Sequence, residues 1–209
     1  MTDACSSNLV QASLVEAGSR SSQAHPLLIA EMACGRSGGR IGITFCPGKK
    51  GDSIFGKPWH RDLSLDLNAI QAWGASTVLT LVEQQELELL EVSDLGQRVR
   101  ERGMTWLHLP IRDLHPPDRD FEEGWSQVAD SLCTQLAGGD RVLVHCRGGR
   151  GRAGAVAAML LMEMGIAPVE AIHRVREIRP GAIETHKQEQ YIAEFQPLRS
   201  NPRFTPKET

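Results

Sequence analysis

The sequence predicts an α/β layer fold: a central, mostly parallel sheet of about five strands flanked by helices, with an N-terminal hairpin. Three observations predict it. Short apolar runs rich in β-branched residues alternate with longer amphipathic segments, the order expected of parallel strands joined by helices. Gly38-Gly39 separates two strand-like runs near the start, which is a hairpin signal. The 209 residues are 41% hydrophobic and 23% charged, a balance that supports one packed domain.

The elements follow in order. Residues 1–25 read as a flexible tail with a short helical turn near Leu9–Glu16, residues 26–199 as the folded domain, and residues 200–209 as a second tail. Residues 27–34 and 40–45 form the hairpin strands, and Cys46-Pro-Gly-Lys-Lys-Gly51 ends the unit in a loop. Leu63, Leu67, Ile70 and Trp73 fall at helical spacing, with Gly74 as the stop. Thr77–Val82 is a buried-strand candidate. Residues 86–102 carry a helical pattern through Leu87, Leu90, Leu95 and Val99, with arginines near the C-terminus opposing the dipole. Thr105–Ile111 reads as a strand and its exit. Residues 121–137 are amphipathic and end at Gly138-Gly139; Arg141–His145 is a short apolar strand. The helix at 152–164 is apolar nearly all round, hence central. Pro168 suits the first position of a helix to Arg179, and a last helix spans about Thr185 to Phe195.

Composition excludes several classes. The net charge of −3 argues against a generally basic nucleic-acid binder. The longest apolar stretch, Ala153 to Met162, is half of the ~20 residues a membrane span needs. The first 25 residues lack a basic, then apolar, secretory signal, and five cysteines without a disulfide pattern fit a reducing cytoplasm. No Cys-x-x-Cys pair is present, so the usual zinc-site spacings are missing, and His108, Asp113 and His115 lack a matching second cluster; no metal is expected, and no cofactor is assigned.

The chemistry concentrates in Val142-Leu-Val-His-Cys-Arg-Gly-Gly-Arg-Gly-Arg-Ala-Gly154. A buried strand delivers Cys146 to its C-terminal end, the place where open α/β sheets bind ligands. Arg147, Gly148, Gly149, Arg150 and Gly151 then make a tight turn. Its glycines let successive N–H groups point inward as an anion-binding nest, and the following helix N-terminus adds partial positive charge. A cysteine in that field is favoured as its thiolate. Arg152 can hold two oxygens of a tetrahedral oxyanion at once. A thiolate nucleophile, an anion cradle and a bidentate Arg together describe phosphoryl transfer to cysteine.

His145-Cys146-x5-Arg152 resembles the phosphate loop of the Cys-x5-Arg protein tyrosine and dual-specificity phosphatases. Three further motifs, in the expected order, resemble the kinase-associated phosphatase type and its bacterial look-alikes: Ile43-Thr-Phe-Cys-Pro-Gly48, Pro110-Ile-Arg-Asp113, and Gly181-Ala-Ile-Glu-Thr-His-Lys-Gln188. The resemblance spans about residues 40–196. It implies Cys146 as nucleophile and Arg152 as phosphate clamp, with the amides of residues 147–152 around the oxygens. It implies His145 as brace of the loop, Asp113 as general acid and Gln188 as the residue positioning hydrolytic water. Asp118 is a rival acid in the same proline-stiffened loop.

One departure stands out. Most members follow the Arg with Ser or Thr, whose hydroxyl supports the departing thiolate, whereas this chain has Ala153. A charge-assisted hydrogen bond of that kind contributes about 1.5–3 kcal/mol. The implied activity is a phosphatase acting through phosphocysteine, on phosphoproteins with dual specificity. Arg147 and Arg150 also match basic loop positions in phosphoinositide phosphatases, so a polyanionic phosphate substrate is a second reading, and a weakly active phosphate-binding module a third. Sulfur transferases lack the Cys-x5-Arg-to-helix pattern, and related arsenate reductases place the motif near the N-terminus. Cys34 and Cys46 are candidate partners for an oxidised Cys146. The sequence does not determine an oligomeric state.

Overall fold

The computed structural model describes residues 19–35, 37–53 and 56–198. In this range seven strands and seven helices follow one another. Strands β1 (Ala30–Cys34) and β2 (Gly39–Phe45) form the hairpin, turned by Gly38 at φ 85°. Strands β3 (Lys50–Gly51) and β4 (Trp59–His60) pair in a small separate ribbon that the loop reading of this segment did not anticipate. Helix α1 (Leu63–Trp73) is capped by Asp62, whose carboxylate accepts Leu65 N–H, and stops at Gly74. Strand β5 (Ala75–Thr80) leads to two short helices, α2 (Gln84–Leu89) and α3 (Leu95–Glu101). Strand β6 (Thr105–His108), helix α4 (Arg119–Gly138) and strand β7 (Arg141–Cys146) precede helices α5 (Gly151–Glu163), α6 (Pro168–Ile178) and α7 (His186–Glu194).

The main sheet has the order β1-β2-β7-β5-β6. Within it only β1–β2 is antiparallel; the other neighbours run parallel, with Phe45 opposite Cys146 and Thr80 opposite His145. All four parallel strands therefore end along one edge. Every residue of α5 is buried, so the apolar run after Arg152 is the central helix that the pattern predicts.

Two expectations change. The helix read over 86–102 is two helices. Glu91 turns through the left-handed region at φ 56°, and Val92 N–H returns to Leu87 O at 2.9 Å. The five-residue step from Leu90 to Leu95 cannot stay on one helical face, and the break buries Leu90, Val92 and Leu95 together. Residues 19–25, read as part of a tail, pack on the domain: Arg20 bridges to Trp59, and the Ser22 hydroxyl donates to Asp62 O and accepts Asp62 N–H. The expectations for residues 1–18 and 199–209 lie outside the described residues.

Candidate active site

Cys146 lies at the last position of β7 and is buried. The chain then turns back over β2. Gly149 adopts φ 66°, and a Cβ there would sit 2.4 Å from the Thr44 carbonyl carbon, so glycine is required by both conformation and space. The turn brings Gly149 N–H to Cys146 Sγ at 3.3 Å. Gly148 and Arg150 are exposed at the rim and Arg147 is half-buried. Ala153 is fully buried in α5 and brings no hydroxyl, so the donor placed on the sulfur is the Gly149 amide.

Arg152 opens the first turn of α5 and is 2% exposed. Its Nη1 and Nη2 donate to Glu86 Oε2 and Oε1 at 2.5 and 2.9 Å, and Nη1 also donates to Ile111 O at 2.9 Å. Nη2 pairs with Asp113 Oδ1 at 2.9 Å. Among the described residues the buried Nε has no acceptor, so it is a donor that an anion could take. Burial works against the charge on Arg152, but the Glu86 hydrogen bond and the neighbouring Cys146, Glu86 and Asp113 charges outweigh it, so the guanidinium is held above its ordinary value. For Glu86, burial pushes the carboxyl up, but the Arg152 hydrogen bond and charge prevail and hold it below its ordinary value.

Asp113 follows β6 and its side chain is 52% exposed, so it faces both Arg152 and solvent. Leu114, at φ 60°, gives its N–H to Asp113 Oδ1 at 3.1 Å and turns the loop back. Asp118, the rival acid, is instead the N-cap of α4 and accepts Phe121 N–H at 3.0 Å. The acid reading therefore rests on Asp113. Gln188 is buried. Its Nε2 donates to His115 O at 3.1 Å and its Oε1 accepts Thr185 N–H at 3.3 Å, so it fastens α7 to the loop bearing Asp113.

His145 is fully buried behind the loop. Its Nε2 meets Thr80 Oγ1 at 2.7 Å, and Trp106 Nε1 donates to the same hydroxyl at 2.8 Å. Because Thr80 accepts from Trp106, its own proton is available for His145 Nε2. Nδ1 lies beside the Cys146 backbone without a well-formed hydrogen bond. Burial pushes this histidine down to about 3, so it braces the strand end as a neutral ring.

Four residues at the site escaped sequence reasoning. Glu86 positions Arg152; its only sequence signal is the Glu83-x-x-Glu86 spacing that also makes a helix capping box. Lys49 reaches from the loop after β2 and donates to Arg147 O at 3.0 Å while its ammonium lies over Trp59 and Phe45, 3.9 and 4.6 Å from the ring centroids. Burial pulls Lys49 down to about 8, against the opposing pull of Cys46 and Cys146. Arg179, just past α6, donates to Gly149 O and Gly148 O at 2.8 and 3.3 Å. Glu184 accepts Gly151 N–H at 2.9 Å.

The thiol partners separate by topology. Cys34 pairs with Gly39 at the far end of β2, six residues from Phe45 and so about 20 Å along the strand from Cys146. That removes Cys34 as a partner. Cys46 is adjacent, its N–H donating to Arg147 O at 3.4 Å; burial pushes its thiol up to about 12. Among the described residues no group of three or more His, Cys, Asp or Glu could hold a metal ion, and no helix is long and apolar enough to cross a membrane.

Comparisons with known proteins place the chain in a family. Residues 61–192 match the family described as Swiss Army Knife protein, DSP-PTPase phosphatase domain (PTP-SAK). The chain is 32% identical to cyclin-dependent kinase inhibitor 3 of Rattus norvegicus over 158 residues, covering 74% of this chain and 71% of the relative. It is 32% identical to protein tyrosine phosphatase type IVA 3 of Homo sapiens over 141 residues, covering 67% and 75%. Among solved structures, kinase-associated phosphatase with its catalytic-site cysteine changed to serine superposes with a TM-score of 0.70 at 28% identity, covering 81% of this chain and 94% of that one.

Proposed function

The chain belongs to the dual-specificity and protein tyrosine phosphatase family, and from that membership we propose that it removes phosphate from proteins through a phosphocysteine at Cys146. The observation that carries the reading is the convergence on one strand end: the Cys146 thiol under a loop amide, Arg152 behind it, and Asp113 2.9 Å from Arg152.

The steps follow from these positions. The phosphoryl oxygens take the loop amides and the Arg152 guanidinium, whose plane Glu86 fixes in advance. The Cys146 thiolate attacks phosphorus. The S–P bond forms as the bond to the leaving oxygen breaks, and Asp113 gives that oxygen its proton. Water then attacks the phosphocysteine. The S–P bond breaks, Asp113 takes the water proton, and inorganic phosphate leaves with thiolate and acid restored. Gln188, on the same side of the loop, is assigned to orient that water. The hydroxyl absent at Ala153 makes thiolate departure the step with least support. Arg147 and Arg150 at the rim favour a second reading, a substrate with more than one phosphate. A panel of phosphopeptides, phosphoinositides and inositol phosphates separates the two. A nucleophilic thiolate requires reducing surroundings, which supports a cytoplasmic site of action.

Turnover of p-nitrophenyl phosphate tests the assignment. Cys146→Ser is expected to be inactive while still binding oxyanions. Asp113→Asn is expected to lose about 10²–10⁴-fold in rate. Full activity of the serine variant would overturn the mechanism.

A further inference from the structure

Building on the reading of residues 146–152 as a phosphate loop, we propose that Glu184 is an affinity-setting residue of the phosphate site, whose carboxylate competes with the phosphoryl group for the Gly151 amide. Gly151 is the fifth of the six residues whose N–H groups are assigned to the phosphoryl oxygens, and it begins α5. Its N–H is already given to Glu184 Oε2 at 2.9 Å. A donor at a helix N-terminus favours an anion, and two anions cannot share it.

The backbone delivers Glu184 to this place. The preceding residue, Ile183, holds φ 58°, a conformation rare for a β-branched side chain. Arg176 Nε donates to Ala182 O at 3.2 Å and Arg176 Nη2 to Ile183 O at 3.4 Å, which fix the turn. On the other side, a Cβ on residue 151 would lie 2.7 Å from Glu184 Oε2, so the glycine keeps the approach open. The position is the unspecified x of the Gly-Ala-Ile-x-Thr motif, and in this chain it is a glutamate.

Glu184 is exposed and makes one hydrogen bond to the loop, whereas a phosphoryl dianion makes several and also engages Arg152. The phosphoryl group therefore displaces the carboxylate. Arg179, which feels the charges of both Glu184 and Cys146, offers the displaced carboxylate a cation nearby. Displacement lowers the affinity for every oxyanion that needs the Gly151 amide, substrate and product alike.

The test is calorimetric titration of tungstate, a tetrahedral dianion, into the full chain carrying Cys146→Ser, alone and combined with Glu184→Gln or Glu184→Ala. Both double variants are expected to bind about two- to tenfold more tightly. Equal affinity in all three proteins would overturn the competition while leaving the phosphate loop intact. Weaker binding in both double variants would overturn it too, making Glu184 a support for the loop. Absence of binding in all three would overturn the phosphate-loop reading and the competition with it.

Discussion

Arg152 shows how a single residue is set for its task. Its guanidinium is desolvated, so its position must be held by acceptors, and Glu86 holds it with two hydrogen bonds. Removing one partner of a buried pair leaves the other charge uncompensated, which costs about 3–5 kcal/mol. Asp113 and Ile111 O still face Arg152 in Glu86→Ala, so this variant is expected to lose less, about 1–3 kcal/mol in urea unfolding, and to reduce kcat/KM at least about tenfold. Unchanged unfolding and turnover would show that Arg152 is positioned without it. At this scale the sequence reveals Cys146, Arg152 and Asp113, because the first two share one short motif and the third closes a distinctive strand exit. Glu86 and Lys49, like Asp113, come from other strand ends, but no distinctive run of residues marks them. Glu86 stands 66 residues before its partner Arg152, and Lys49 stands 98 before its partner Arg147. Parallel crossovers impose such separations, and no short motif spans them.

At the scale of the element, the turn from β7 into α5 is shaped by which glycines have room. A Cβ on Gly148 would meet nothing within 4 Å, and its backbone is not left-handed. Gly149 has both a positive φ and the Thr44 backbone against it. Gly149→Ala is expected to destabilise the protein by more than about 1 kcal/mol and to disturb the amide facing Cys146 Sγ, while Gly148→Ala stays within about 0.5 kcal/mol. Thermal unfolding of the two variants side by side checks this; equal losses would contradict the geometry. Helix positions are legible wherever caps and periodicity agree, as at Asp62, Gly74 and Pro168. The break between α2 and α3 is harder to read, because the apolar residues on either side continue a helical composition while their five-residue step does not.

At the scale of the molecule, the parallel order β2-β7-β5-β6 explains why residues far apart in sequence meet. Each strand contributes one piece along the same edge: Lys49 after β2, Cys146 at the end of β7, Glu86 after β5 and Asp113 after β6. The alternation of strands and helices makes such an edge readable, but strand order is set by packing that periodicity alone does not encode. The core beneath this edge carries a pH dependence. His145 is pushed down to about 3 by burial, below its ordinary value of 6.5. Between those values the unfolded chain binds a proton that the folded chain does not. This contribution to stability is therefore complete above about pH 6.5 and is lost as pH falls toward 3, by up to about 1.4 kcal/mol per pH unit. Urea unfolding of His145→Gln across that range is expected to show a shallower decline; an identical decline would place the acid sensitivity elsewhere.

The proposed mechanism requires a covalent phosphate carried by Cys146 during turnover. Rapid quenching of the enzyme while it hydrolyses a radiolabelled phosphomonoester, followed by peptide mapping, looks for that species itself. The label is expected on the peptide containing Cys146, as an S-linked phosphate, and absent from Cys146→Ser. Turnover with no labelled enzyme peptide, or with label on another residue, would refute the phosphocysteine route.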